Sequence, residues 1–260
     1  MSILRYIYGK KRGLGKTSLN TAFAIFEMHD KNNFINTMNE IAILESELSR
    51  TFKRPTQPHI VYSDYEIKDN CKYSKGYSSY PFSPYKFKLP NKKSEYSIFP
   101  PGSFFHINEA QTKYNSRKFK KFTMAVSGAY EGSRHPNFTI TMDGLGLTSI
   151  DSKIRSIVDE FILVLGMEHE FFNNRIVKTT WHCIIFDDIS NAEEFEKSKD
   201  FSLGIEHDFV FEFGCIFNCY NARGNKKAFY RGAEDKDFEF KKWDEIDESF
   251  MLPDKDFYDE

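Results

Sequence analysis

Cysteine is scarce in this chain: four among 260 residues, at positions 71, 183, 215 and 219. Only Cys215 and Cys219 stand close together, and no His or Cys partners follow at zinc-motif spacing. The thiols therefore read as ordinary buried or surface groups, and nothing asks for an oxidising compartment. Long apolar runs are also lacking. No stretch reaches the ~18 apolar residues of a membrane helix, and the longest candidate, 161–167, has the length of a strand. The first eight residues carry too short an apolar run for a secretory leader. Charge of one sign is missing as well. The formal net charge is −2, so no global field draws nucleic acid, and any such contact needs a local basic patch. No internal repeat is visible. These absences lead to the expectation of a soluble, intracellular protein.

Aromatic residues are plentiful. The 27 Phe and 14 Tyr favour aromatic-rich strands, with core packing as their main use rather than base stacking. A hydrophobic content of 40% supports a packed core. The length fits one large domain, or one domain with an appendage.

Along the chain, residues 3–8 read as a buried strand. Residues 16–29 read as a helix, because Leu19, Ala22, Phe23 and Phe26 recur at spacings of three and four. A second helix is expected over 38–50 and strands over 59–63, 103–107, 138–142 and 158–165. Residues 65–100, rich in Tyr, Ser and Pro, read as a long excursion. A short helix or turn is expected at 150–155. Two long β segments, 175–187 and 208–221, flank a helical piece near 191–198. Residues 233–260 are dense in charge and read as a tail or peripheral helix.

The chemistry begins at Gly13-Leu14-Gly15-Lys16-Thr17-Ser18, between the first strand and the first helix. Glycines let backbone N–H groups wrap phosphate oxygens, and a helix N-terminus adds its dipole. Lys16 supplies a point charge to the β and γ phosphates, and Thr17 offers a hydroxyl to magnesium. The usual pattern has a glycine five residues before Gly15; here that position is Lys10, and Gly9 lies one residue too early. An apolar strand, Phe104–Ile107, ends in Asn108-Glu109. In phosphate-loop enzymes such a strand ends in an acidic pair, one member for magnesium and one to polarise the attacking water. Asn108 replaces the first acid; Glu109 is the candidate general base, and its alternative reading is a helix cap. The resulting fold class is α/β: a P-loop NTPase core of alternating strands and helices, with added β-strands toward the C-terminus. The expected organisation is an ATPase domain over 1–232 (core 1–168, β-rich addition 169–232) and a charged tail over 233–260.

Three further features bear on partners. The run Lys113–Lys121 holds five cations among nine residues with aromatics interleaved. It reads either as a nucleic-acid contact or as a solvated helix face; Arg117 within it is alternatively a structural or phosphate-sensing arginine. Arg134, on a turn before a strand, is a candidate arginine finger for a neighbouring subunit's γ phosphate, with Arg155 as a second candidate.

Taken together, these segments resemble the Zot-like family, which includes the assembly ATPases of filamentous phages and belongs with the FtsK/HerA-type DNA-pumping ATPases. The resemblance spans most of residues 3–231. It rests on Gly13–Thr17, His59–Ser63, Ile107-Asn108-Glu109-Ala110-Gln111 with Arg117 downstream, Arg134-His135 with the strand 138–141, the segment 149–159, and Phe217–Arg223. The sequence departs from the family at Asn108, at Met142 where the group tends to carry a sensor glutamine, and in lacking the usual membrane-spanning segment. The resemblance implies a RecA-like, mostly parallel sheet flanked by helices, ATP with Mg2+ as cofactors, assembly of the chain with itself as a homo-oligomeric ring, phage DNA as a partner, and a role in moving or extruding that DNA during virion assembly. Other phage assembly or membrane proteins are further partners it allows. The expected location is the host bacterial cytoplasm, with a peripheral position at the inner membrane as the alternative. A nucleotide-switched scaffold with little turnover is the second functional reading. A small-molecule kinase is a third, and no lid of clustered arginines supports it.

Overall fold

The computed structural model describes residues 3–49, 51–84, 99–114, 128, 130, 132–134, 136–220 and 242–245. Eight strands build one sheet: β1 (Leu4–Tyr8), β2 (Val61–Ser63), β3 (Tyr80–Pro81), β4 (Phe104–Ile107), β5 (Thr139–Gly144), β6 (Glu160–Phe172), β7 (Arg175–Phe186) and β8 (Ile205–Phe211). Their order is β3-β2-β4-β5-β1-β6-β7-β8. From β3 to β6 every neighbouring pair is parallel. The pairs β6–β7 and β7–β8 are antiparallel. The expected class is therefore present: a mixed, mostly parallel sheet flanked by helices. The boundary drawn at 168/169 lies inside β6, and the added strands continue the same sheet.

A parallel sheet is covered on both faces, and β1 shows the consequence: four of its five residues are buried, while Arg5 among them pairs with Glu160 at 2.8 Å. Leu4, Tyr6 and Tyr8 enter one core; Ile7 enters the other. Helix α1 (Lys16–His29) covers the Ile7 face with Leu19, Ala22, Ile25 and Met28, three residues apart. The Tyr6 face carries the aromatic load. Phe105 stands 5.0 Å from each of Phe82, Phe99 and Phe138, ring centre to ring centre. Such edge-to-face and tilted pairs add about 0.5–1.5 kcal/mol each beyond area burial.

Helix α2 (Lys31–Leu48) begins seven residues earlier than the apolar pattern predicts. Its first turns, Lys31 to Asn36, bury no apolar stripe, so periodicity is silent there. The start is set instead by Asp30, whose carboxylate accepts the Asn32 N–H at 2.9 Å. Among the described residues three shorter helices follow: α3 (Ala110–Lys113), α4 (Ser152–Arg155) and α5 (Ile189–Ser198). Strands β6 and β7 form a long hairpin whose turn uses Asn173 and Asn174 at φ 48° and 60°, the backbone that matches strand twist. The last expected β segment is shorter than predicted. β8 ends at Phe211, and Gly214 at φ 103° turns the chain into a 3-10 turn at Ile216–Asn218. Within 65–100, the described part contributes β3 at the sheet edge. Of 233–260, only 242–245 are described, where the Trp243 indole donates to the Ser79 carbonyl at 2.7 Å.

Candidate functional site

The loop after β1 enters α1 through two left-handed residues, Gly13 at φ 81° and Gly15 at φ 84°. At Gly15 a side chain is excluded twice over. The backbone is left-handed, and a Cβ would meet Met167 Sδ at 2.6 Å and Trp181 Nε1 at 2.7 Å. Trp181, fully buried on β7, donates its indole N–H to the Gly15 carbonyl at 3.1 Å. The Ser18 hydroxyl donates to the same carbonyl at 2.8 Å. The antiparallel addition thus braces the glycine turn from behind.

Lys16 is buried, and its Nζ donates to the Lys11 carbonyl at 2.8 Å. Burial pulls the Lys16 ammonium below its ordinary pKa, while the nearby Asp143 and Glu109 carboxylates pull it back up. The Thr17 hydroxyl donates to Asn108 Oδ1 at 3.0 Å. That contact spans the gap from α1 to the end of β4, although β5 lies between β4 and β1 in the sheet.

Two buried aspartates fix the chain at 108–109. Asp64, just past β2, accepts the Asn108 N–H at 2.9 Å. Asp143, at the end of β5, accepts the Glu109 N–H at 3.0 Å and the Asn20 amide at 3.1 Å. Glu109 itself sits at φ 49°, an uncommon backbone for glutamate. The two carboxylates hold it there. Burial pushes the Asp143 carboxyl up to about 6. Burial also pushes Asp64 up, and Lys113, whose ammonium contacts both Asp64 and the Asn108 carbonyl, opposes that rise. Behind them, His106 bonds Asn20 Oδ1 at 2.8 Å and Glu27 Oε2 at 2.6 Å.

The glycine loop, the start of α3 and the end of β5 open on one cleft of about 890 Å³. Gly13, Gly15, Lys16, Thr17 and Ser18 line one side, Glu109, Gln111 and Asp143 another, and Met167, Phe217 and Tyr220 supply an apolar wall. The cleft lies beyond the C-terminal ends of the parallel strands, the usual ligand position in open α/β sheets.

The structure brings Lys16, Thr17, Asn108 and Glu109 together. It does not bring Arg134 to them. Arg134 precedes β5 at the opposite end of the sheet and pairs with Asp159 at 2.5 Å on the surface. Arg155 lies 3.8 Å from Glu193 and does not line the cleft. Of the basic run, Lys113 turns inward to Asp64, which removes it from any surface patch; residues 115–121, Arg117 included, lie outside the described residues. Met142 is fully buried in the core, and its neighbour Asp143 takes the cleft position. Sequence reasoning missed Asp64, Asp143 and Trp181. Each of the two aspartates follows an apolar strand run directly, which is the signal that could have found them.

Lys113→Met tests the inner ion pair. Asp64 is 3% exposed, and breaking a buried pair from one side costs about 3–5 kcal/mol. The expected loss in urea unfolding is of that size. A loss below ~1 kcal/mol would mean the pair behaves as a surface one.

No family model matches the chain, and no curated protein matches it. Among solved structures, it is similar to the N-terminal domain of zonular occludens toxin from Neisseria meningitidis, at 14% identity and a TM-score of 0.43, over 85% of this chain and 100% of that one. It is also similar to the genome packaging NTPase B204 from Sulfolobus turreted icosahedral virus 2 in complex with AMP, at 14% identity and a TM-score of 0.38, over 73% and 94% of the two chains. The same NTPase in complex with ATP-gammaS gives 13% identity and a TM-score of 0.39, over 71% and 92%. Similarity this remote leaves the function to be argued from the cleft itself.

Proposed function

We propose that the chain binds ATP with Mg2+ in this cleft and hydrolyses it, as the motor of a homo-oligomeric ring that moves or extrudes DNA during phage assembly. The observation that carries the nucleotide part is the Thr17–Asn108 contact at 3.0 Å, which sets a phosphate loop against Glu109 across one cleft. The DNA and the ring are supported by the sequence resemblance alone.

Thr17 Oγ1 and Asn108 Oδ1 are neutral oxygen donors, a set that suits a hydrated Mg2+. Bound there, the ion would neutralise charge on the β and γ phosphates. The backbone N–H groups from Gly13 to Ser18 would hold the phosphates, with Lys16 exchanging the Lys11 carbonyl for a phosphate oxygen. Glu109 would orient the attacking water and take its proton. Asp143 would keep Glu109 placed through its backbone N–H. Phe217 and Tyr220 offer aromatic surface to the base. The second reading, a nucleotide-switched scaffold, is favoured by one observation: the group facing Thr17 is an amide, not a carboxylate.

Steady-state ATP hydrolysis with and without single- and double-stranded DNA separates the two. The motor reading expects turnover that DNA raises. It also expects Arg134→Ala to lower turnover about 1000-fold or more while nucleotide binding persists, as for an arginine finger supplied by a neighbour. ATP binding without turnover on any DNA would overturn the motor and leave the scaffold.

A further inference from the structure

A second cluster of chemistry-bearing side chains lies away from the cleft, at the far end of α1. His29, the last residue of that helix, places Nε2 2.9 Å from Asp69 Oδ2. The Cys71 thiol donates to Asp69 Oδ1 at 2.7 Å. Asp69 and Cys71 are buried, and His29 is partly so. The three donor atoms all lie within 4.8 Å of one another. A tetrahedral zinc ion holds its nitrogen, oxygen and sulfur ligands roughly 3.3–3.8 Å apart. Small rotations of these side chains would close that difference.

Beside this cluster stands a buried imidazole. His59 is 1% exposed, and neither ring nitrogen has a hydrogen-bond partner among the described residues. A buried polar group without a partner is costly and uncommon. The His59 ring meets Tyr77 edge-on at 5.3 Å, and Tyr77 meets His29 at 6.2 Å.

We infer that His29, Asp69 and Cys71 form a binding site for one zinc-class divalent ion. The mixed imidazole, carboxylate and thiolate set selects a borderline-soft metal over magnesium or calcium. On binding, the Cys71 S–H bond breaks, the sulfur keeps the electron pair and donates it to the metal, and the proton leaves to solvent. The Cys71–Asp69 hydrogen bond is replaced by two bonds to one ion.

The backbone gives the site a structural role. The loop bearing Asp69 and Cys71 is tied to the C-terminal segment: the Lys68 N–H donates to the Cys219 carbonyl at 2.7 Å, and Ile67 bridges Tyr220. Tyr220 lines the nucleotide cleft. An ion here would clip the end of α1 to the strip of chain that walls the cleft.

The test uses the full chain, freed of metal by chelation and assayed without nucleotide. Zn2+ is titrated against a competing chromogenic chelator, and Co2+ is followed by absorption. The expected result is one ion per chain and a cobalt–thiolate charge-transfer band. Cys71→Ser removes that band and weakens Zn2+ binding at least about 100-fold, more than a supporting residue would. His29→Gln, at a partly exposed position, weakens binding similarly. Cys215→Ser changes neither readout, and circular dichroism confirms that each variant is folded. Absence of stoichiometric binding by the wild-type chain, or a cobalt–thiolate band that survives Cys71→Ser, would overturn the site.

Discussion

Lys16→Ala abolishes useful nucleotide binding. The side chain stands at the start of α1, buried, with its ammonium drawn toward Asp143 and Glu109. In the proposed complex it supplies a charge-assisted hydrogen bond to phosphate, worth about 1.5–3 kcal/mol. Alanine removes that bond and leaves the two carboxylates facing the phosphates without compensation. Affinity should therefore fall ~100-fold or more, since each 1.4 kcal/mol is a factor of ten. Turnover should vanish with it. Lys16→Arg should not restore binding, because a planar guanidinium does not replace a compact ammonium inside a closed glycine turn. The fold should survive: the bond lost is the one to the Lys11 carbonyl at 2.8 Å, and one hydrogen bond to a charged group contributes about 1.5–3 kcal/mol. Fluorescent-nucleotide titration beside thermal unfolding checks both halves. Unchanged affinity in a folded variant would remove Lys16 from the site.

Glu109→Gln separates binding from chemistry. The two side chains have the same shape, and the backbone at φ 49° is held by Asp143 through the residue 109 N–H at 3.0 Å, which glutamine retains. Geometry should persist while the proton acceptor disappears. Loss of a positioned general base lowers kcat about 100- to 10,000-fold. The dissociation constant for Mg·ATP should stay within about threefold, ~0.7 kcal/mol. Single-turnover hydrolysis with a parallel binding titration distinguishes the outcomes. Full turnover in the variant would remove Glu109 from the role of base and send the search to Asp143, the other carboxylate lining the cleft; the Glu109 side chain makes no capping bond to α3.

The glycine-loop half of the candidate site was legible from sequence for a physical reason. Gly13, Gly15, Lys16 and Thr17 are contiguous, and their chemistry needs a strand before and a helix after. The bounds of α1, Lys16–His29, follow from the same local pattern. The other half comes from distant chain. Asp64 and Asp143 become site residues only because β2, β4 and β5 are brought side by side, which spacing along the chain does not reveal. Trp181 braces Gly15 from 166 residues away. Lys113 read as one cation of a surface run, yet burial of Asp64 draws it inward. The start of α2 escaped notice because a capping aspartate, not an apolar stripe, fixes it. The cluster of His29, Asp69 and Cys71 has no zinc-motif spacing at all; α1 and the loop after β2 bring it together.

The most direct test of the account is calorimetric titration of the purified chain with a non-hydrolysable ATP analogue, with Mg2+ and then with Mg2+ chelated. The account predicts one site per chain in the affinity range of ~1 μM to 1 mM, weakened when Mg2+ is withdrawn. Absence of binding at millimolar analogue in a folded chain would contradict it, and the Thr17–Asn108 contact would then be a structural link alone.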